Sequence, residues 1–117
     1  MEEKQKILIA DDSEINRALL KEILGDNCQY EEAVNGSDAI FFLRHTPDID
    51  LMLLDMVMPD MDGFAVLETM NRYHWIEQIP VIVISAEQTD GFMERAYTLS
   101  ATDYIRRPFP KNQVKRS

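Results

Sequence analysis

Three short apolar runs in this sequence each end on side chains that carry oxygen. The residues that follow the runs are Asp11 with Asp12, Asp55, and Ser85. Short continuous runs of Val, Ile and Leu are typical of strands buried on both faces of a parallel sheet. Ligands bind such sheets in the crevice beyond the carboxyl ends of the strands. The sequence therefore predicts a functional site at one edge of the sheet.

The chemistry of that site follows from its carboxylates. If adjacent strands bring Asp11, Asp12 and Asp55 together, either the pKa of one carboxyl rises or a cation binds. Mg²⁺ suits the site, because it takes hard oxygen ligands and usually uses one or two carboxylates with phosphate oxygens. Asp55 could then remain a charged nucleophile and attack a phosphoryl group. Ser85 and Arg107, near the ends of later strands, could donate hydrogen bonds to the phosphoryl oxygens.

The alternative for each of these residues is a structural one. An aspartate after a strand often caps the next helix, and this is the more common role for any one of them. Four such residues at strand ends favour a shared site instead. Other phosphoryl-transfer motifs are absent, since the chain has neither a Gly-x-x-x-x-Gly-Lys loop nor a Gly-x-Gly-x-x-Gly loop.

The elements that must position the site alternate along the chain, which is the α/β pattern. The first helix is predicted to begin at Ser13 and end at Gly25. The apolar residues predicted for its inner face are Ile15, Leu19, Leu20, Ile23 and Leu24. The later predicted elements are a strand near 30–33, a helix after an Asn35-Gly36 turn that ends by Pro47, a helix marked by Phe64, Leu67 and Met70, a helix at 88–99 and a strand at 103–106.

The overall composition describes one small domain. The 117 residues suit a single core, and no apolar run approaches the roughly 18 residues that would span a bilayer. The charged first residues do not resemble a signal peptide. Cys28 is the only cysteine, which favours the reducing cytoplasm. The formal charge of −9 argues against nucleic-acid binding by this segment and is compatible with a cation or a basic partner.

The end of the sequence predicts an incomplete element. Residues 113–116 look like the first turn of a fifth helix, so we expect residues 1–117 to be one domain cut from a longer protein before or within that helix. Three or four missing apolar side chains, at roughly 1.5–3 kcal/mol each, would leave part of one sheet face uncovered. We therefore expect a weakened domain, or one that self-associates through that face.

The chain resembles the receiver domain of two-component response regulators over essentially all of residues 5–110. The motifs that carry the resemblance are Asp11-Asp12, Asp55 followed by Met58-Pro59 and Met61-Asp62-Gly63, Ser85-Ala86, and Tyr104 three residues before Arg107-Pro108-Phe109. The resemblance implies a doubly wound, flavodoxin-like parallel sheet with strand order 2-1-3-4-5 and helices on both faces.

The resemblance also implies roles for individual residues. Asp55 would take a phosphoryl group from the phosphohistidine of a sensor kinase or a phosphotransfer protein. The Mg²⁺ ligands would be Asp12, Asp55 and the Val57 carbonyl, with Asp11 acting through water. Ser85 would move to the phosphoryl group and let Tyr104 rotate inward, which would change an output surface of helix four, strand five and helix five.

One residue departs from the family pattern. Arg107 stands where the family has Lys, in a Lys-Pro pair whose peptide bond is usually cis, and Arg brings a planar fork in place of a compact charge. The alternative to a phosphorylation switch is therefore a receiver-like docking module that works without phosphorylation. As a switch, the chain would catalyse only its own phosphorylation and dephosphorylation, and no separate substrate is expected. A downstream effector domain could follow Ser117.

Overall fold

The chain forms strands and helices that alternate along the sequence. In this computed structural model, residues 4–85 and 90–106 are described. The strands are β1 (Gln5–Ala10), β2 (Cys28–Ala33), β3 (Leu51–Asp55), β4 (Val81–Ser85) and β5 (Asp103–Arg106). Within the described residues, the helices are α1 (Glu14–Leu24), α2 (Gly36–His45), α3 (Gly63–Arg72) and α4 (Asp90–Thr98), with a 3₁₀ turn at Trp75–Glu77.

The five strands form one parallel sheet with the order β2-β1-β3-β4-β5. This confirms the predicted fold class. The pairing register aligns the carboxyl ends of the three central strands, because Ala10 pairs with Leu54 and Asp55 pairs with Ile84. All the polar residues that follow these strands are thereby directed to one edge of the sheet.

The apolar core lies on both faces of this sheet. Alternate strand residues such as Leu8, Leu54 and Val83 face a cluster completed by side chains of α2, α3 and α4. The intervening residues, such as Ile9 and Leu53, face α1. Burial on both faces explains why the strands are continuous apolar runs without a polar alternation.

The buried side of α1 differs from the prediction. Leu20 and Ile23 are buried as expected, but Ile15 is 80% exposed and Leu19 is 41% exposed. A helix turns about 100° per residue, which places these two residues about 200° from the buried Arg17. Their assignment to the inner face was therefore wrong.

Several predicted boundaries also moved. The second strand begins at Cys28 rather than near Tyr30. Gly36 is the first residue of α2 rather than part of a turn, and the Asn35 side chain caps that helix by accepting from the Asp38 N–H.

Within the described ranges, no helix has both the length and the apolar character needed to cross a membrane.

The predicted fifth helix lies outside the described residues. The sequence predicts that part of one sheet face is uncovered, so the exposure of side chains on the α1 side of the sheet is relevant. Three of these side chains are Ile82, Ile84 and Ile105. Each of them is at most 1% exposed. These three side chains are therefore covered, and the partly uncovered face and the self-association, which depend on the fifth helix, stay predictions.

The edge of the sheet opposite the polar strand ends has a different character. Trp75 stacks on Tyr73 with ring centroids 5.1 Å apart, and the Arg44 guanidinium lies 5.7 Å from the Trp75 ring. Trp75 and Arg44 line an open cavity of about 590 Å³, as does Asp48. The aromatic group and the carboxylates of the sequence motifs thus lie at opposite ends of the strands.

The neighbouring leucines of α1 provide a test of this packing. Leu20→Ala should lower the free energy of unfolding by about 2–5 kcal/mol, because it leaves a cavity between α1 and the sheet. Leu19→Ala makes the same change in helix propensity at an exposed position, and should cost about 1 kcal/mol or less. Urea denaturation of both variants measures the difference, and equal losses would contradict this placement of α1.

Candidate functional site

Three carboxylates meet at the carboxyl edge of the sheet. Asp11, Asp12 and Asp55 each offer an oxygen, and these oxygens all lie within 4.8 Å of one another. Asp11 and Asp55 are buried, whereas Asp12 is exposed. The cluster forms because β1 and β3 are neighbours and end at the same level. The structure thus brings together the three carboxylates that the sequence predicted to be close.

Ser85 lies at the end of the adjoining strand. It is fully buried, and it follows Ile84, which pairs with Asp55. Ser85 itself pairs with Arg106 of β5. The predicted phosphoryl-binding residue Arg107 comes next in sequence but lies outside the described residues, as do Ala86 and Pro108.

Tyr104 is on the sheet face that packs against α2, α3 and α4. It is 4% exposed and belongs to the same apolar cluster as Val83 and Ala96. The ring therefore occupies an inward position, which is the orientation that the resemblance associates with the switched state.

The loop after Asp55 is anchored at several points. The Val57 N–H donates to Asp55 Oδ1 over 3.3 Å, so the backbone turns back towards the carboxylate. The Met58 side chain is buried in the core, and the Gly63 N–H donates to the Met56 carbonyl over 3.0 Å. The loop is thus closed at its base, while the role of the Val57 carbonyl as a metal ligand stays a prediction.

Two glycines allow this loop to pack closely. A Cβ on Gly63 would lie 2.7 Å from the Asp55 carbonyl oxygen, and one on Gly36 would lie 2.1 Å from the Met61 carbonyl oxygen. The Ser37 hydroxyl also donates to the Asp60 carboxylate on the same loop. The start of α2 and the start of α3 therefore hold the loop against the strand that carries Asp55.

The turn that carries Asp11 and Asp12 is held by a separate set of hydrogen bonds. The Asp11 N–H donates to the Ala33 carbonyl over 3.0 Å, and the Ser13 N–H donates to Asp11 Oδ1 over 2.9 Å. Arg17 Nη1 donates to the Asp11 carbonyl oxygen over 2.7 Å. Both polar groups of the Asp11 backbone are therefore paired.

Arg17 connects this turn to β2. Its Nε donates to Glu32 Oε1 over 2.9 Å, and Lys21 Nζ donates to Glu32 Oε2 over 2.7 Å. The hydrogen bond from Lys21 is the largest influence that lowers the pKa of the Glu32 carboxyl; partial burial opposes it and the hydrogen bond from Arg17 adds to it. Glu32 is therefore held as a carboxylate that compensates two cations.

The donor set of the acidic cluster fits a hard divalent cation. Its ligating atoms are carboxylate oxygens, the exposed Asp12 leaves one side open to water, and Mg²⁺ commonly binds through one or two carboxylates while keeping waters. Like charges at this spacing also repel one another, and a bound cation would relieve that repulsion. The site could therefore bind a metal, with Mg²⁺ the best match to its ligands.

Two contributors to the site were missed by the sequence interpretation. Arg17 was not singled out, although it lies three residues before the buried Leu20 and so continues the inner stripe of α1. Glu32 follows the alternation of Cys28 and Tyr30, which places it on the α1 side of β2. These two periodicities place both residues between α1 and the sheet, but the pairing of β2 with β1 is needed to bring them into contact.

The fold and the acidic edge define a class of protein. The sheet has the flavodoxin-like strand order, with two aspartates directly after its first strand and a third at the end of its third strand. The family model of the response regulator receiver domain matches residues 7–117, and the chain belongs to this family. Receiver domains are in general the signalling switches of two-component systems.

Individual relatives support the assignment. The chain is 35% identical over 102 residues to a probable cyclic di-GMP phosphodiesterase of Vibrio cholerae. The matched segment covers 87% of this chain but only 23% of that protein. It is 28% identical over 111 residues to the two-component response regulator ORR5 of Oryza sativa subsp. japonica, covering 94% of this chain and 83% of that protein. The first of these relatives, which carries the phosphodiesterase name, is thus far longer than this chain.

A solved structure confirms the fold. The response regulator receiver protein from Pseudomonas putida superposes with a TM-score of 0.89, and the match covers 99% of this chain and 96% of that one. The two sequences are 20% identical, so this likeness shows the fold alone.

The close approach at Gly63 gives a prediction about the loop. Gly63→Ala should lower the free energy of unfolding by about 1–3 kcal/mol, because the new Cβ forces the loop away from the Asp55 backbone. Gly91→Ala is the matched control, since a Cβ there meets nothing within 4 Å. Urea denaturation measures both, and we expect Gly91→Ala to leave stability unchanged or slightly raised. A Gly63→Ala variant as stable as the wild type would contradict the packing described.

The ion pairs of Glu32 give a prediction about pH. In the folded protein its pKa is below the ordinary value of 4.5, so the carboxylate stabilises the fold above that pH. This contribution is lost as the pH falls through the lowered pKa. The stability advantage of the wild type over Glu32→Gln should be constant near neutral pH and should narrow below pH 4.5. Denaturation at a series of pH values measures it, and an advantage that persists unchanged in acid would contradict the lowered pKa.

Proposed function

We propose that this chain is the phosphoacceptor switch of a two-component system, with Asp55 as the acceptor. The observation that carries the proposal is the grouping of Asp55 with Asp11 and Asp12 within 4.8 Å at the carboxyl edge of the sheet. Family membership supports the same conclusion.

Asp55 is the nucleophile. A carboxylate oxygen attacks the phosphorus of a partner's phosphohistidine, an oxygen–phosphorus bond forms and the phosphorus–nitrogen bond breaks. The bonding electron pair leaves with the imidazole, which departs as the neutral base when its ring carries a proton. The anchored loop keeps the Asp55 carboxylate in place during this transfer, because the Val57 N–H holds one of its oxygens.

The metal would be held by this chain's own oxygens. Asp12, Asp55 and the Val57 carbonyl are the proposed direct ligands of Mg²⁺, and Asp11 would act through a water molecule. When bound, the ion supplies positive charge that offsets the carboxylates and the phosphoryl oxygens. The closeness of the three carboxylates supports this assignment.

The readout passes through β4 and β5. We expect the Ser85 hydroxyl to donate a hydrogen bond to a phosphoryl oxygen on Asp55, with the Arg107 guanidinium as a second donor. Tyr104 lies on the neighbouring strand, so movement of Ser85 would alter the packing around its ring. The affected output surface would comprise α4, β5 and the predicted fifth helix.

A sensor histidine kinase or a phosphotransfer protein is the proposed donor. Two exposed apolar side chains follow the strand ends that carry the aspartates, Ile15 at 80% exposure and Val57 at 65% exposure. Both side chains are available for contact with such a protein. We further propose that residues 1–117 are one domain of a longer protein, with an effector domain after Ser117. A cytoplasmic location, which the single cysteine favours, stays a prediction.

Phosphorylation by a small donor tests the proposal. Incubation with acetyl phosphate and Mg²⁺ should add one phosphoryl group to the wild type, measured as intact mass, and chelation of Mg²⁺ should prevent it. Asp55→Asn should remain unlabelled because its amide is not a nucleophile. Asp48→Asn is the matched control, since it changes an exposed aspartate at the opposite edge of the sheet and should be labelled like the wild type.

The opposite results would change the conclusion. A wild type that gains no mass, or an Asp55→Asn variant that is labelled equally, would remove Asp55 as the acceptor. If the backbone amide NMR signals of the wild type at the acidic edge also do not shift with beryllofluoride and Mg²⁺, the phosphorylation-independent docking module becomes the better description.

A further inference from the structure

Arg17 is a buried cation that contacts both the acidic turn and β2. It is 9% exposed, and burial of a charge is costly unless the charge is paired and hydrogen-bonded. Its Nε donates a hydrogen bond to Glu32 Oε1 over 2.9 Å, and this ion pair offsets the charge. Its Nη1 donates to the Asp11 carbonyl oxygen over 2.7 Å. The planar guanidinium is rigid, so fixing one side on Glu32 also fixes the position of the other.

The Asp11 carbonyl belongs to the peptide unit that joins Asp11 to Asp12. Since Arg17 holds this carbonyl and the Ala33 carbonyl holds the Asp11 N–H, the backbone is restrained on both sides of Asp11. Asp11 and Asp12 repel each other and Asp55, and an unrestrained turn would relieve this repulsion by moving outward.

We propose that Arg17, anchored by Glu32, is a positioning residue that holds Asp11 and Asp12 in the geometry needed for Mg²⁺. This inference rests on the proposed function, because it assigns Arg17 a role towards the metal of that same site. Arg17 acts through the Asp11 backbone and is not itself a ligand.

The direction of the effect separates positioning from simple electrostatics. Removal of a nearby positive charge would, by Coulomb's law alone, strengthen the binding of Mg²⁺. Loss of the restraint on Asp11 would weaken it instead. Partners that orient metal ligands typically contribute 10–100-fold to metal affinity, and the indirect contact through a carbonyl indicates the lower end, roughly 10-fold.

The first test measures Mg²⁺ affinity by calorimetry on the phosphate-free protein, below the melting temperature of each variant. Arg17→Met should weaken binding roughly 10-fold. Lys21→Met is the charge control, since Lys21 contacts the same Glu32 carboxylate but makes no contact with Asp11 in the hydrogen bonds described. It should bind Mg²⁺ as tightly as the wild type or more tightly. An Arg17→Met variant with unchanged or stronger binding would overturn the proposal.

A second pair of variants keeps Arg17 and so tests the proposal even if Arg17→Met does not fold. Glu32→Gln retains an oxygen that can accept from Arg17 Nε, whereas Glu32→Ala leaves the guanidinium without its anchor. Positioning requires Glu32→Gln to bind Mg²⁺ close to wild type and Glu32→Ala to bind more weakly. Equal affinities of the two variants would show that the contact between Glu32 and Arg17 does not affect Mg²⁺ binding, which would overturn the proposal.

Failure of the proposed function would look different. In that case the wild type itself would accept no phosphoryl group from acetyl phosphate. A wild type that is phosphorylated, together with an Arg17→Met variant of unchanged Mg²⁺ affinity, would overturn the positioning role alone.

Discussion

Repulsion among three carboxylates at one edge of the sheet governs the local structure around them. Their oxygens lie within 4.8 Å of one another, and at that distance two unit charges repel by roughly 1 kcal/mol in water and by about 3–4 kcal/mol at an effective dielectric constant of about 20. The fold sustains this arrangement because Asp11 and Asp55 continue strands that are buried on both faces and cannot move apart without disturbing the core. The same repulsion makes the edge receptive to a cation. The repulsion that destabilises this edge of the sheet is therefore also the reason that the edge can bind a cation.

The strand ends were predictable because they depend only on local sequence. A continuous apolar run must be buried, and a charged residue that follows it must lie at the edge. The inner face of α1 was harder to predict, because apolar residues occur around much of that helix. Ile15 and Leu19 are exposed, while the charged Arg17 is buried. The burial of Arg17 depends on Glu32, which is brought opposite by the pairing of β2 with β1. No local pattern in α1 contains that information.

The close packing of the loop after Asp55 was also beyond local inference. In sequence, Asn35-Gly36 is typical of a turn, yet Gly36 begins a helix and is needed because the Met61 backbone passes beside it. Glycine can indicate backbone freedom or lack of space, and only the tertiary packing distinguishes the two. The chemistry of the edge was thus predictable, whereas the way in which it is held was not.

The position of the single tryptophan has a practical consequence for spectroscopy. Trp75 lies before the first residue of β4, stacked on Tyr73, whereas Asp55 is the last residue of β3. Five residues of strand separate the two edges, a distance of roughly 16 Å. Indole emission therefore reports whether the far edge of the sheet is intact, and it is poorly placed to sense a change of charge at Asp55. Ligand titrations of this protein call for a probe at the acidic edge itself.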